Sequence, residues 1–419
     1  MKSPVVPFAS LEPAALGERL KQEGLRLTVD EARRVAELIG HEPTRVEAVL
    51  FDTLWSEHCS YKSSRAVLKE FLPTEAPHVI LGPGEDAGVV YLTTHNGEGW
   101  ALVVGHESHN HPSQVVPFEG AATGIGGIVR DIYCMGADVV GVLDALRFGS
   151  LTGEHAEQSR EIARGVVDGI WHYGNALGVP NLGGDVVFDA RYDDNCLVNV
   201  VALGVVPEHR LVRSRVPVEA REVPYVFVLV GKPTDSSGFG GASYASADLD
   251  ESEAESNKGA VQVPDPFLKR VLVEATKETW EWLEAEGIAS GCKDLGAGGL
   301  GGASSELVLA GGFGAEIDLS AVPRAADAVF PHQVLCGETQ ERFVWAVPES
   351  RADEMLAIFN ERYELGRVYP GARAAVIGRV IPETVYRGRW EGTVVLDLPG
   401  AILEESPIAE RPVAPRPGR

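Results

Sequence analysis

GHESHNHPSQVVPFEGAATGIGGIVRD, residues 105–131, follows directly on the apolar run Ala101-Leu102-Val103-Val104. The run predicts a buried strand. Past the polar stretch, Gly120 to Met135 predicts a helix with Ile125, Ile128, Val129 and Ile132 on its packing side. A strand that ends in titratable groups, followed by a closely packing helix, is a common layout for an active site in an α/β protein. The fold class read from this stretch is therefore α/β (α+β), with two domains along the chain. Each glycine inside that helix costs up to ~1 kcal/mol against alanine. So many of them require that something approach the helix backbone closely, either a packed sheet or a bound phosphate.

Between strand and helix stand His106, Glu107, His109 and His111, with Ser108 and Asn110 interleaved. Three histidines on a polar loop can be plain surface residues. His109-x-His111 also resembles the paired ligands of zinc hydrolases, but no Cys-x-x-Cys or His-x-x-x-His supplies further soft ligands. Glu107 and Asp131 suit Mg²⁺ better, because it takes oxygen ligands and nucleotide phosphates.

Working outward, residues 1–27 read as an irregular lead-in. Thr28 to Glu31 and Thr44 to Glu47 are capping boxes that open two helices. Val46, Leu50 and Leu54 form the apolar stripe of the second, and helical spacing continues that stripe to His58, with Tyr61 on the same face if the helix runs on. Short strands follow at Val79–Leu81, Val89–Leu92 and Trp100–Val104, then a strand at Ala137–Phe148, a helix at Glu154–Leu177 and a strand at Asn195–Val206. Charged residues and prolines at 207–224 mark a domain boundary. Beyond it come the buried strand Val226–Gly231, a glycine-rich loop at 236–242, an acidic segment at 247–258 expected to be a mobile surface loop, and a helix over 266–286. A βαβ-like unit closes the chain (strand Arg342–Val347, helix 349–362, strand 374–380), and the tail from Glu404 reads as proline-rich linker. The expected organisation is a lead-in (1–27), a helical region (28–72), a first domain (73–212), a second domain (213–403) and a linker (404–419).

A formal charge of −24 over 419 residues argues against a nucleic-acid or anionic-membrane surface, which would need basic patches. Five scattered cysteines without metal spacing suit a reducing, cytoplasmic setting. The Walker pattern and a Rossmann fingerprint are both absent, so any use of ATP requires another fold.

The words SEHCSYKSSR (56–65), GPGEDAGVV (82–90), ESHNHPS (107–113), GIGGIVRDI (124–132), KDLGAGGL (293–300) and GETQER (337–342) together resemble the large synthetase subunit of phosphoribosylformylglycinamidine synthase. That enzyme belongs to the aminoimidazole ribonucleotide synthetase superfamily. The resemblance runs from about Asp30 to the end of the chain and corresponds to an N-terminal half. It implies an ATP- and Mg²⁺-dependent carbon–nitrogen ligase of purine biosynthesis, with a first sheet that closes a barrel against a second half or subunit. The implied partners are a glutaminase subunit and a small bridging subunit. Residue by residue, the resemblance makes His58 and His109 catalytic, His109 as proton acceptor. Tyr61 and Gly105 fall at ATP-contacting positions. Ser108, His109, Asn110, His111, Arg130, Gln262, Glu338, Thr339 and Gln340 fall at substrate contacts, and Glu107, Asp131 and Asp294 at Mg²⁺ ligands. Gly105 stands where the family usually has a lysine, and Asp235–Gly241 departs from the family's Arg-Asp pair and histidine. Two other readings stay open: another ATP-using enzyme of the superfamily, such as a small-molecule kinase, or a non-catalytic binding half.

Overall fold

A computed structural model describes residues 4–245, 259–326 and 329–409. Its seven helices of ten residues or more are α1 (Pro13–Gln22), α2 (Val29–Ile39), α3 (Arg45–Leu54), α4 (Pro117–Cys134), α5 (Ala156–Leu177), α6 (Pro266–Ala285) and α7 (Gly299–Gly311). The fold is mixed α/β, with two open sheets.

The first sheet comprises β1 (Val79–Leu81), β2 (Gly88–His95), β3 (Glu98–Ser108), β4 (Asp138–Phe148), β5 (Asn181–Phe188) and β6 (Leu197–Pro207), in the order β1-β2-β3-β6-β4-β5. Alternation along β3 and β6 turns Ala101, Val103, Val198, Val200 and Ala202 into a core beneath α4 and α5. It leaves Leu102, Val104, Val201, Leu203 and Val205 half-buried on the other face. Among the described residues no strand joins β1 to β5, so the sheet is not closed into a barrel. The pattern search missed β5, whose Gly183-Gly184 step and all-exposed residues carry no apolar alternation.

The second sheet comprises β7 (Tyr225–Gly231), β8 (Gly291–Asp294), β9 (Gly314–Asp318), β10 (Arg342–Pro348), β11 (Arg373–Ile381), β12 (Val385–Trp390) and β13 (Thr393–Pro399), in the order β13-β12-β9-β11-β7-β10-β8. β7 is buried on both faces, which explains its unbroken apolar run. Val226, Val228 and Val230 pack towards α6, and Phe227 and Leu229 towards α7.

Two expectations at the chain's start are corrected. The lead-in is packed structure: it contains α1, and Val6, Phe8, Leu16 and Leu20 sit in one core with α3, α7 and the second sheet. Both capping boxes form as read, but the second helix stops at Leu54. Ser56 then caps a new short helix, Glu57–Ser60, and Tyr61 ends it in a left-handed conformation, so His58 leaves the apolar stripe. At the other end Arg65 donates to the Ser406 carbonyl at 2.6 Å and the Ala409 amide to that of Lys62 at 3.0 Å. The start of the expected linker is therefore docked. The acidic segment 247–258 lies outside the described residues. No helix among the described residues is long and apolar enough to cross a membrane.

Candidate active site

β3 runs out at Ser108, and the chain turns through His109 into the short helix Asn110–Val115 before α4 begins. The turn is fixed locally. The His109 amide donates to the Val198 carbonyl at 2.8 Å, and the Asn110 carboxamide oxygen accepts from the Val198 amide at 2.7 Å. The glycines of α4 supply room. A Cβ at Gly127 would lie 2.5 Å from the Glu107 carboxylate, one at Gly124 3.0 Å from His109, and one at Gly126 2.6 Å from the Tyr173 hydroxyl. The protein's own side chains make the close approach that the sequence required.

Above this turn lies a cleft of ≈ 160 Å³ lined by residues of both domains and of the N-terminal region. His58, Glu107, Ser108, His109, Asn110, His111, Arg130, Gln262, Glu338 and Gln340 all line it. A larger cleft of ≈ 630 Å³ near α6 and residues 209–219 contains none of the residues chosen from sequence.

Arg130 crosses from α4 to the second domain, 1% exposed. Its Nε donates to Asp294 at 3.1 Å and its Nη1 to the Gln340 side-chain oxygen. Burial opposes the guanidinium's charge, but Asp294, Glu341, Tyr173 and Asp131 together hold it firmly protonated. Gln340 donates to Gln262 at 2.8 Å, and Gln262 to Glu338 at 3.1 Å. Glu338 also accepts from the backbone amides of Ala242 at 2.9 Å and Gly298 at 3.3 Å. It thereby ties three loops together.

Burial, with Asp294 and Glu338 adding to it against Arg130, pushes Glu107 up to about 8. Asp131 is raised by burial and by Asp294, Asp86 and Glu107. Burial pushes His109 down to about 4, so its imidazole is neutral at pH 7 rather than titrating there. Among the described residues no three His, Cys, Asp or Glu side chains converge as a ready metal cage. Asp131 and Asp294 lie outside the cleft's lining.

Three further sequence-chosen residues also lie outside the cleft. Thr339 is fully buried and exchanges hydrogen bonds with Asp235, at 3.1 and 3.2 Å. Gly105 faces the core, where a Cβ would meet Ile128 at 2.7 Å, so a side chain there would point away from solvent. Tyr61 is 56% exposed and does not line the cleft. Sequence reasoning missed Asp86, pushed up to about 6 by burial, with Lys293 lowering and Asp294 raising it. Asp86 lies inside the word GPGEDAGVV, but its partner Lys293 is 207 positions away, beyond any local pattern. It also missed Glu341, Lys269 and Tyr173, which meet beneath the cleft.

Glu338→Gln is expected to flatten the pH dependence of stability. Burial raises the carboxyl from 4.5 to about 7, with backbone amides and Gln262 opposing. An acid whose folded value is raised contributes stability below its unfolded value and loses it as pH rises through the folded one. Melts across pH 4.5 to 8 should show wild type losing a few kcal/mol, at ~1.4 kcal/mol per pH unit, that the variant keeps. Parallel curves would refute the assignment.

Comparison with known proteins agrees with this layout. Residues 84–206 match the N-terminal domain of AIR synthase related protein and residues 226–391 its C-terminal domain. Residues 16–62 match the formylglycinamide ribonucleotide amidotransferase linker domain. The two domains are those of an AIR synthase related protein. Within that class the chain belongs to the PurL family of phosphoribosylformylglycinamidine synthase. It is 52% identical over 407 residues to the PurL subunit of Methanothrix thermoacetophila, covering 97% of this chain and 52% of that one. Solved structures of Thermotoga maritima PurL complexed with FGAR, complexed with ATP, and in PurLQS superpose with TM-scores of 0.75, 0.72 and 0.72. Their identities are 33%, 31% and 32%, covering 94%, 94% and 92% of this chain and 58%, 57% and 56% of theirs. The chain thus spans about half the length of the curated relative.

Proposed function

We propose that this chain supplies one half of an ATP-dependent ligase that converts formylglycinamide ribonucleotide and glutamine-derived ammonia to formylglycinamidine ribonucleotide, ADP and phosphate. The observation that carries the reading is the cleft, where ten of the residues singled out by resemblance converge from distant parts of the chain. In this reading the substrate amide oxygen attacks the γ-phosphate, and ammonia then displaces phosphate from the iminophosphate. Neutral His109 accepts a proton, with His58 beside it. Arg130, Gln262 and Gln340 orient the substrate through donors fixed in a buried network, and Ser108 and His111 meet it at the cleft wall. Tyr61 is the proposed ATP contact; at Gly105 only backbone could serve.

The acidic groups fit Mg²⁺. Glu107, Asp131 and Asp294 are oxygen donors, and the crowding that raises the first two is relieved by a cation. Mg²⁺ is usually held by only one or two carboxylates and keeps several waters, so a complete protein cage is not required. Bound there, it would neutralise triphosphate charge. The expected partners are a glutaminase subunit and a small bridging subunit, in the cytoplasm.

The half-buried row Leu102, Val104, Val201, Leu203 and Val205, with Leu182 and Val186 more than half exposed on the edge strand β5, is the surface we assign to barrel closure against a second half or a second copy. Alone at micromolar concentration the chain is expected to sediment near twice its 44.8 kDa. A single monomeric species would refute this assignment.

The function is tested by mixing the chain with the complementary half of a PurL, ATP, Mg²⁺, ammonium and formylglycinamide ribonucleotide. Turnover only in the mixture is expected. Substrate binding without turnover would leave a binding module, and no substrate binding would overturn the reading.

A further inference from the structure

Among the described residues five non-glycine positions have positive φ: Tyr61, Asn96, Glu341, Glu364 and Glu391. Four are exposed and lie at turns or helix ends. Glu341, at φ 72, is fully buried. A non-glycine residue held left-handed costs about 1–3 kcal/mol and persists only where its surroundings impose it.

The surroundings are specific. The Glu341 carboxylate forms an ion pair with Lys269 at 2.6 Å, both side chains at 0% exposure. It accepts from the Tyr173 hydroxyl at 2.5 Å and from the Asp265 amide at 3.3 Å. Its carbonyl accepts from the Lys232 amide at 3.0 Å. Tyr173 lies on α5 of the first domain, and Lys269 and Asp265 lie on and beside α6 of the second, so the clamp spans both. A buried ion pair is weak evidence for stability, since apolar residues of similar volume often serve as well. What this one adds is a fixed backbone direction. Glu341 directly follows Gln340, whose side chain joins Arg130 to Gln262 on the cleft floor.

We propose that Glu341 is a positioning residue: clamped by Lys269 and Tyr173, it keeps position 341 left-handed and so aims Gln340 at Arg130 for substrate recognition. This rests on the function proposed above. The clamp touches the substrate side of the cleft and not the proposed ATP contact Tyr61, so its loss separates the two ligands.

The test uses the whole chain with Glu341→Gln and the milder Tyr173→Phe, which keeps the ring and removes one hydrogen bond. Titration calorimetry is expected to show formylglycinamide ribonucleotide binding weakened about tenfold by the first and about threefold by the second, the scale of one or two hydrogen bonds. ATP affinity should stay within about twofold of wild type. In selectively labelled protein, solvent exchange of the Gln340 side-chain amide should accelerate at least tenfold in Glu341→Gln. Equal losses for both ligands alongside a lower melting temperature would show a merely structural role and overturn the proposal. So would unchanged binding with unchanged Gln340 protection. If wild type does not bind the nucleotide, the functional reading fails, and the Gln340 exchange rate alone decides the positioning role.

Discussion

Arg130→Ala removes at least 3 kcal/mol of stability and, in whatever remains folded, abolishes formylglycinamide ribonucleotide binding far more than ATP binding. The guanidinium is buried between Asp294 and Gln340, with Glu341 and Asp131 close enough to hold its charge. Deleting it strands the Asp294 carboxylate without its partner, and removing one member of a buried ion pair typically costs about 3–5 kcal/mol. Arg130→Lys should recover part of the stability but not binding, because an ammonium lacks the planar fork that reaches Asp294 and Gln340 together. Chemical denaturation with parallel titrations of both ligands checks this. Unchanged stability, or matched losses for the two ligands, would contradict the assigned role.

His109→Ala in the assembled enzyme should lower turnover by ~10²–10⁴-fold, the range for a lost acid–base group. The fold should survive. The ring contributes a long 3.4 Å contact to Thr123 and a hydrogen bond with the Gly120 backbone, and the anchors of this turn are backbone and Asn110 groups that the substitution keeps. Single-turnover assays with intact circular dichroism test the pair of statements. Stoichiometric zinc in purified protein, lost in the variant, would instead make His109 a metal ligand.

How much of this was legible in the sequence depended on the range of the cause. The capping boxes at Thr28 and Thr44 work within one helical turn, and both form as read. The glycines of α4 showed that something must press on the helix, but not that it would be Glu107, His109 and Tyr173. The paired glycines of β5 hid an edge strand because no face of it is buried. Helical spacing carried the stripe Val46, Leu50 and Leu54 on to His58, and the break at Trp55 left no mark in it because Ser56 caps the next helix by its own side chain. The resemblance identified the cleft's walls, yet it labelled Glu338 and Thr339 by proximity to substrate. Their hydrogen bonds show what each holds in place. Asp86 with Lys293, and Glu341 with Lys269 and Tyr173, are products of tertiary packing alone.

The helix α4 depends on its neighbours to form. Gly120, Gly124, Gly126 and Gly127 together weaken its intrinsic helicity by about 4 kcal/mol against alanine, while each glycine receives a group from elsewhere: the Pro112–Ser113 backbone, His109, Tyr173 and Glu107. Such a segment cannot nucleate a helix unaided. Its support comes from β3, the 109–115 turn and α5, which fill the space that the four missing side chains leave. Alanine at any of the four, although it favours an isolated helix, would displace the group packed there and loosen the turn that carries His109.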